Sequence, residues 1–289
     1  MHSRLIGTLA LALLVLLLAA LTWWSLEAPP PDQAAQPLTR LAPATIHRLT
    51  LLNGSGSEIR LAREHGQWQM VTPYPLPADE QRIGQLLALA ATPSHARFDE
   101  PAERRAEFGL APPKAVVWLN DLEIRFGGPH PLERLRFVVA GGQIHLTEER
   151  FFHLLLLPPE SWLEPILLPE PGELTAIRTP SWDLQRDAAG HWRLEPEASP
   201  ASTEQKAAKV RQWREARAVK VERAPKASVS AWVELRLADQ EAPLHLGVVR
   251  EGAELLLIRE ETGLAYRFPT AGLLAPPGVE EKNAGTAGG

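Results

Sequence analysis

Apolar and polar residues alternate along two separated stretches of this chain in the same order. Residues 58–73 read E-I-R-L-A-R-E-H-G-Q-W-Q-M-V-T-P, and residues 183–196 read D-L-Q-R-D-A-A-G-H-W-R-L-E-P. A period of two marks a half-buried strand, so each stretch predicts a hairpin. Gly66 and Trp68 map onto Gly190 and Trp192 at one shared offset. A strand is predicted before each hairpin, over 46–52 and 174–179. Helical spacing then replaces the alternation. Over 79–91 Ile83, Leu86, Leu87 and Ala90 fall on one face, and over 203–217 Ala207, Val210 and Trp213 or Ala216 do the same. Four alternating runs follow in the first half (116–119, 122–126, 134–139, 143–146) and four in the second (232–237, 244–249, 254–259, 265–268). Asn120-Asp121, Gly127-Gly128 and Gly141-Gly142 punctuate the first set as turns, and Gly263 takes the place of Gly142 in the second. Short helices are expected over 101–108, ended by Gly109, and over 149–157, stopped by Pro158-Pro159. Strands on both sides of a single helix, without regular strand-helix alternation, predict an α+β fold of two related halves. Each half is expected to be a mostly antiparallel sheet with one covering helix.

Outside the halves the pattern changes. Residues 5–24 carry no charge and are long enough to span a bilayer as a helix. Arg4 precedes this run and Glu27 and Asp32 are the first charges after it, so the N-terminus is expected in the cytoplasm and the bulk of the chain outside, at the bacterial inner membrane. A cleaved signal peptide is the competing assignment, but Ala20 after Leu18 and Ala28 before Pro29 make poor cleavage sites. Residues 29–37 are proline-rich and predict an extended spacer. The expected organisation is a cytoplasmic end at 1–4, an anchor at 5–26, a spacer at 27–43, a first α+β repeat at 44–168, a second at 169–275, and a disordered tail at 276–289.

Candidate chemistry is sparse. There is no cysteine, which excludes disulfides, thiolate metal sites and a lipobox. His47, His65, His95, His130, His145, His153, His191 and His245 are scattered, and none pairs at the spacing of a helical zinc motif. No nucleophile elbow, phosphate loop or dinucleotide fingerprint occurs, so no catalytic residue, metal or cofactor is assigned and a non-enzymatic role is expected. Trp68 and Trp192 are expected to plug the core behind the hairpins, while Trp118, Trp182 and Trp232 are candidates for stacking on a ligand. The net charge is -5, yet Lys206, Lys209, Arg211, Arg214 and Arg217 crowd the second helix. Such a run is usually a solvated helix face; as a site, it would dock an acidic partner or anionic headgroups. An exported acidic chain without a recognition motif is a poor nucleic-acid binder.

One set of residues forms a recognisable series. Trp68, Pro73, Pro77-Ala78-Asp79, Phe108-Gly109-Leu110 with Pro112-Pro113, and Ile124-x-Phe126-Gly127 resemble the pattern of the bacterial domain-of-unknown-function family 4340. In place of a plainer glycine turn, this chain has Gly127-Gly128-Pro129-His130. The resemblance implies a membrane-anchored extracytoplasmic protein, some relatives being linked with auxiliary parts of gliding-motility-type ABC transporters, and it supplies no catalytic residues. Structurally, Asp79 reads as a helix N-cap, Gly109 as a C-cap and Pro112-Pro113 as a stiff entry to a strand. The expected function is a binding or auxiliary module of an envelope or ABC-transporter-type complex. The alternative is a ligand-binding domain for an envelope glycan or lipid.

Overall fold

A computed structural model describes residues 36–53, 56–100, 102–168, 172–196 and 201–279. The expected anchor at 5–26 lies outside the described residues, and among those described no helix is long and apolar enough to cross a membrane.

The first half contains β1 (Arg48–Asn53), β2 (Glu58–Glu64), β3 (Gln67–Thr72), β4 (Leu76–Pro77), α1 (Glu80–Leu87), β5 (Ala96–Asp99), β6 (Ala115–Leu119), β7 (Leu122–Pro129), β8 (Leu135–Ala140), β9 (Gln143–Glu148) and α2 (Phe152–Leu155). The second contains β10 (Leu174–Arg178), β11 (Asp183–Arg186), β12 (Trp192–Glu195), α3 (Thr203–Arg214), β13 (Lys220–Arg223), β14 (Ala231–Leu237), β15 (Leu244–Glu251), β16 (Glu254–Arg259) and β17 (Leu264–Phe268). The first sheet runs β4-β3-β2-β1-β6-β7-β8-β9-β5 and the second β12-β11-β10-β14-β15-β16-β17-β13. Apart from β4 the two orders are the same. All named strand pairs are antiparallel, so the two-half, antiparallel architecture expected from the alternation is what is found.

Local chemistry explains the hairpins and helices. His65 and Gly66 both have positive φ between β2 and β3, the requirement of a tight two-residue turn, and Gly190 repeats Gly66 with φ +87° against +89°. Asp79 caps α1 by accepting from the Arg82 amide at 2.9 Å. Ser202 and Gln205 form a full capping box at the start of α3. Ile83, Leu86 and Leu87 of α1 and Trp213 of α3 then enter one continuous apolar core that includes residues of both sheets.

Several boundaries differ from those expected. β5 and β13 close the two sheets and were not anticipated, because Ala-Arg-Phe-Asp is exposed throughout and Lys-Val-Glu-Arg sits within the basic run. Gly127 and Gly128 are not a turn but lie inside β7, where the register with β8 shifts. The expected helix 149–157 is a 3-10 turn followed by the four residues of α2, and α3 ends at Arg214 rather than 217. Residues 36–43, assigned to the spacer, pack on the first half. The Leu38 amide bonds the Thr92 carbonyl at 2.7 Å, the Ser94 amide bonds the Gln36 carbonyl at 2.9 Å, and Leu38 is buried. At the other end, residues 276–279, assigned to a disordered tail, form a turn in which Pro277 is buried and Gly278 lies against Gln205 of α3.

The halves are joined by residues 158–168, which bond to both. Ala78 bridges Leu163, the Asp79 amide bonds the Trp162 carbonyl at 2.9 Å, and the Glu164 amide bonds the Pro77 carbonyl at 2.9 Å. Toward the second half, Ile166 bridges Arg217 and the Ala218 amide bonds the Pro165 carbonyl at 2.7 Å. Trp162 is fully buried at the centre of this connector.

Candidate functional site

The residues singled out in the sequence fall into three groups. The first is structural. Trp68 is buried and its amide donates to Glu80 Oε1 at 2.6 Å, tying β3 to the start of α1; Pro73 opens the short link to β4, and Pro77 ends β4. Phe108, Gly109, Leu110 and Gly127, distant in sequence, meet on the outer face of the first sheet. The Gly128 amide bonds the Phe108 carbonyl at 2.7 Å. A Cβ on Gly127 would stand 2.3 Å from that same carbonyl oxygen, and one on Gly109 would stand 2.7 Å from the Gly128 nitrogen. The glycines therefore allow two main-chain segments to touch. Pro112 and Pro113 lead from this clasp into β6, and Phe108 packs between Phe98, tilted at a centroid distance of 5.6 Å, and Phe137, edge-on at 5.0 Å.

The second group, the basic run, does not form one docking face. Lys209 is buried, its Nζ donating to the Gly272 carbonyl at 3.0 Å and to Gln212 Oε1 at 2.7 Å. Arg217 lies beyond α3 and pairs with Glu164 of the connector, and Arg214 pairs with Glu215. Lys206 is half-buried and Arg211 exposed on α3, and Arg214 and Arg217 are exposed as well as paired.

The tryptophans form the third group. Trp182 is buried, with its indole N–H donating to the Leu274 carbonyl at 2.8 Å, so it cannot stack on a ligand. Trp118 on β6 is half-buried. Trp232 on β14 is 45% exposed, on the face of the second sheet opposite the core residues Val233 and Leu235. The two belong to different sheets.

Two recesses of the described residues bring charged groups from different elements together. The smaller, about 420 Å³, lies where the connector meets β13. Buried Glu160 there accepts from Tyr74 Oη at 2.7 Å and faces Arg223 at 3.4 Å, so the first half, the connector and the second half meet at one carboxylate. Burial and the Glu160 contact push the Tyr74 phenol above its ordinary value, and Arg223 draws it back. Glu222 beside it is held below the usual carboxylate range. Burial opposes its charge, but hydrogen bonds from Lys220 and Arg267 outweigh that.

The larger recess, about 680 Å³, opens at the end of the first sheet between its inner face and residues 36–41. β5 supplies Arg97, β7 supplies Leu122, β8 and its turn supply Ala140 and Gly141, and β9 supplies Gln143 and His145. Residues 36–41 add Leu38, Arg40 and Leu41. Pairing of β5 with β9 sets His145 opposite Arg97 on one face. Arg97 Nη2 bonds Gln36 Oε1, which fixes the guanidinium at the mouth. His145 is buried, with Nδ1 3.0 Å from Ser94 Oγ and Nε2 3.3 Å from the Ala140 carbonyl oxygen. Burial pushes its pKa below the ordinary value, the Ala140 contact works the other way, and the charge on Arg97 adds to the depression. The imidazole is therefore a neutral wall. Sequence reasoning missed this cleft because two of its sources, residues 36–41 and β5, read as spacer and as loop.

Among the described residues no group of three or more His, Asp or Glu side chains could hold a metal ion. The family model described as Domain of unknown function (DUF4340) matches residues 68–231. No curated protein and no solved structure matches the chain. The matched span runs from Trp68 in β3 to the first residue of β14, more than half of the chain, and includes the Phe108–Gly127 clasp and the connector: the chain belongs to the DUF4340 family of domains of unknown function.

Proposed function

We propose that this protein is a non-enzymatic, membrane-anchored extracytoplasmic binding module, auxiliary to an envelope or ABC-transporter-type complex. The observation that carries this is the position of the 680 Å³ cleft. It is built in part by residues 36–41, the end of the stretch assigned to the spacer, so a bound partner or ligand would be held close to the point where the chain leaves for its apolar segment. Residues 25–35 number eleven, and fully extended they reach at most about 40 Å. The cleft would thus work within a short distance of the inner membrane, on the periplasmic side. The connector adds a second support, because a body bonded across both halves presents its surfaces in one fixed arrangement.

In-cell crosslinking with residues 1–35 intact tests this. The chain has no cysteine, so one introduced at Lys206, Arg211 or Trp232 gives a unique attachment point. Recurrent capture of the same transporter or envelope-assembly subunit from one of these positions is expected. Capture of none at good expression would remove the auxiliary role.

The cleft and the exposed face of Trp232 favour a second function, binding of an envelope lipid or glycan.

A further inference from the structure

We propose that the cleft at the end of the first sheet holds an anionic amphiphile, its acid head on Arg40 and Arg97 and its hydrocarbon on Leu38, Leu41, Leu122 and Ala140. This rests on the cleft being a binding recess and goes further by naming what fills it. Among the described residues its lining includes two arginines and no carboxylate. Asp99, on the same strand as Arg97, accepts from Gln143 at 3.3 Å and does not line the cleft. A guanidinium presents paired N–H groups that match the two oxygens of a carboxylate or phosphate, and Arg97 is already held in place by Gln36.

The rest of the lining decides between anions. Leu38 and Ala140 belong to the main core and Leu41 and Leu122 pack against it, so the floor is an apolar surface continuous with the protein interior. The other polar side chains of the lining already bond within the protein, Gln36 to Arg97, Thr39 to the Ala90 carbonyl, Gln143 to Asp99 and His145 to Ser94, so a sugar phosphate or nucleotide would find few free partners for its hydroxyls or base edges, at a cost for each unmet polar group. Among the described residues no Phe, Tyr or Trp lines the cleft to stack on a sugar or base, and the one imidazole, His145, is buried with both ring nitrogens in contact with Ser94 and the Ala140 carbonyl. A hydrocarbon chain has no such need. At about 680 Å³ the space falls within the range of roughly 300–1,000 Å³ found for pockets that bury a medium-sized organic ligand.

The full chain in phosphatidylcholine nanodiscs, exposed to a photoactivatable palmitic acid and mapped by mass spectrometry, tests the proposal. Labelling is expected on residues 36–41 and around Leu122, and an otherwise identical probe with an alcohol head should label these positions about tenfold less. The double substitution Arg40→Gln with Arg97→Gln should produce a similar loss, while Arg250→Gln on β15 of the second half leaves labelling unchanged. Equal labelling by the alcohol, or labelling confined to residues 5–24, overturns the proposal. Displacement by millimolar inorganic phosphate alone would assign the arginines to a free anion and overturn it too. The head-group comparison needs no variant, so it decides the matter even where the substitutions disturb the sheet end. Subunit capture through introduced cysteines is a separate readout, so an unlabelled cleft and a missing partner are distinct failures.

Discussion

A methyl group added at Gly127 would sit 2.3 Å from the Phe108 carbonyl oxygen, a main-chain atom that cannot swing aside. Gly127→Ala is therefore expected to destabilise the protein by about 1–3 kcal/mol, seen as a lower urea midpoint at unchanged slope. Gly84 is the control. It lies inside α1 with nothing within 4 Å of the added Cβ, and Gly84→Ala should stabilise by about 0.5–1 kcal/mol. His145 makes a prediction about pH. Its folded pKa lies below the ordinary 6.5, so on acidification the unfolded chain takes up the proton first. The stability tied to the neutral ring is complete above 6.5 and is lost as pH falls through the lower folded value. Compared with His145→Gln, the native protein should lose more of its unfolding midpoint between about pH 7.5 and pH 5, measured by urea titration. Arg97 lies opposite His145 across the β5–β9 pair, and that charge makes protonation harder still. At this scale the sequence was legible where one residue type has one steric use. Asp79 as a cap is such a case. It was not legible where burial depends on a distant carbonyl. Lys209 and Trp182 both look available in the sequence, yet each is drawn inward by the carbonyls of Gly272 and Leu274, far along the chain.

Elements were legible in proportion to their alternation. β1–β3 and β6–β9 each bury every second residue for at least part of their length, and the turns at Asn120 and Gly141 are where the pattern breaks. β5 buries none of its four residues, so no pattern could announce it; its place is set by β9, which needs a neighbour. The connector was invisible for a related reason. Its backbone bonds run to Pro77, Asp79, Ala216 and Ala218, and a run such as P-P-E-S-W-L-E-P has no period to betray them. Glu160 in that connector can be tested directly. The chain has two tyrosines, and both phenols are raised, Tyr266 mainly by its own burial and Tyr74 by burial together with Glu160. Glu160→Gln keeps an acceptor for Tyr74 but removes the negative charge. An ultraviolet titration of phenolate should show one of the two transitions moving to lower pH and the other unmoved. If neither moves, the junction does not close around Glu160.

For the whole molecule, one apolar core contains Leu49 and Phe126 from the first sheet and Leu235 and Leu257 from the second. The halves are thus expected to unfold together. Tryptophan fluorescence and far-ultraviolet circular dichroism should give one coincident urea transition, since buried tryptophans lie in both halves and in the connector. Two resolved transitions would mean that residues 158–168 act as a hinge rather than a joint. The two-half plan was legible because the strand order recurs; the joint was not, because it recurs nowhere. The position of β5 also bears on how the chain is made. Asp99 and its neighbour Gln143 are 44 residues apart, and β9 is the strand beside which β5 lies. At ribosomal rates of about 5–20 residues per second, β5 waits roughly 2–9 s for its partner to be synthesised. Each half is thus topologically incomplete until its last strand emerges, and β13 repeats the delay with β17. A nascent chain interrupted before residue 143 would carry an open strand edge, the form most exposed to chaperones and to mispairing with other chains.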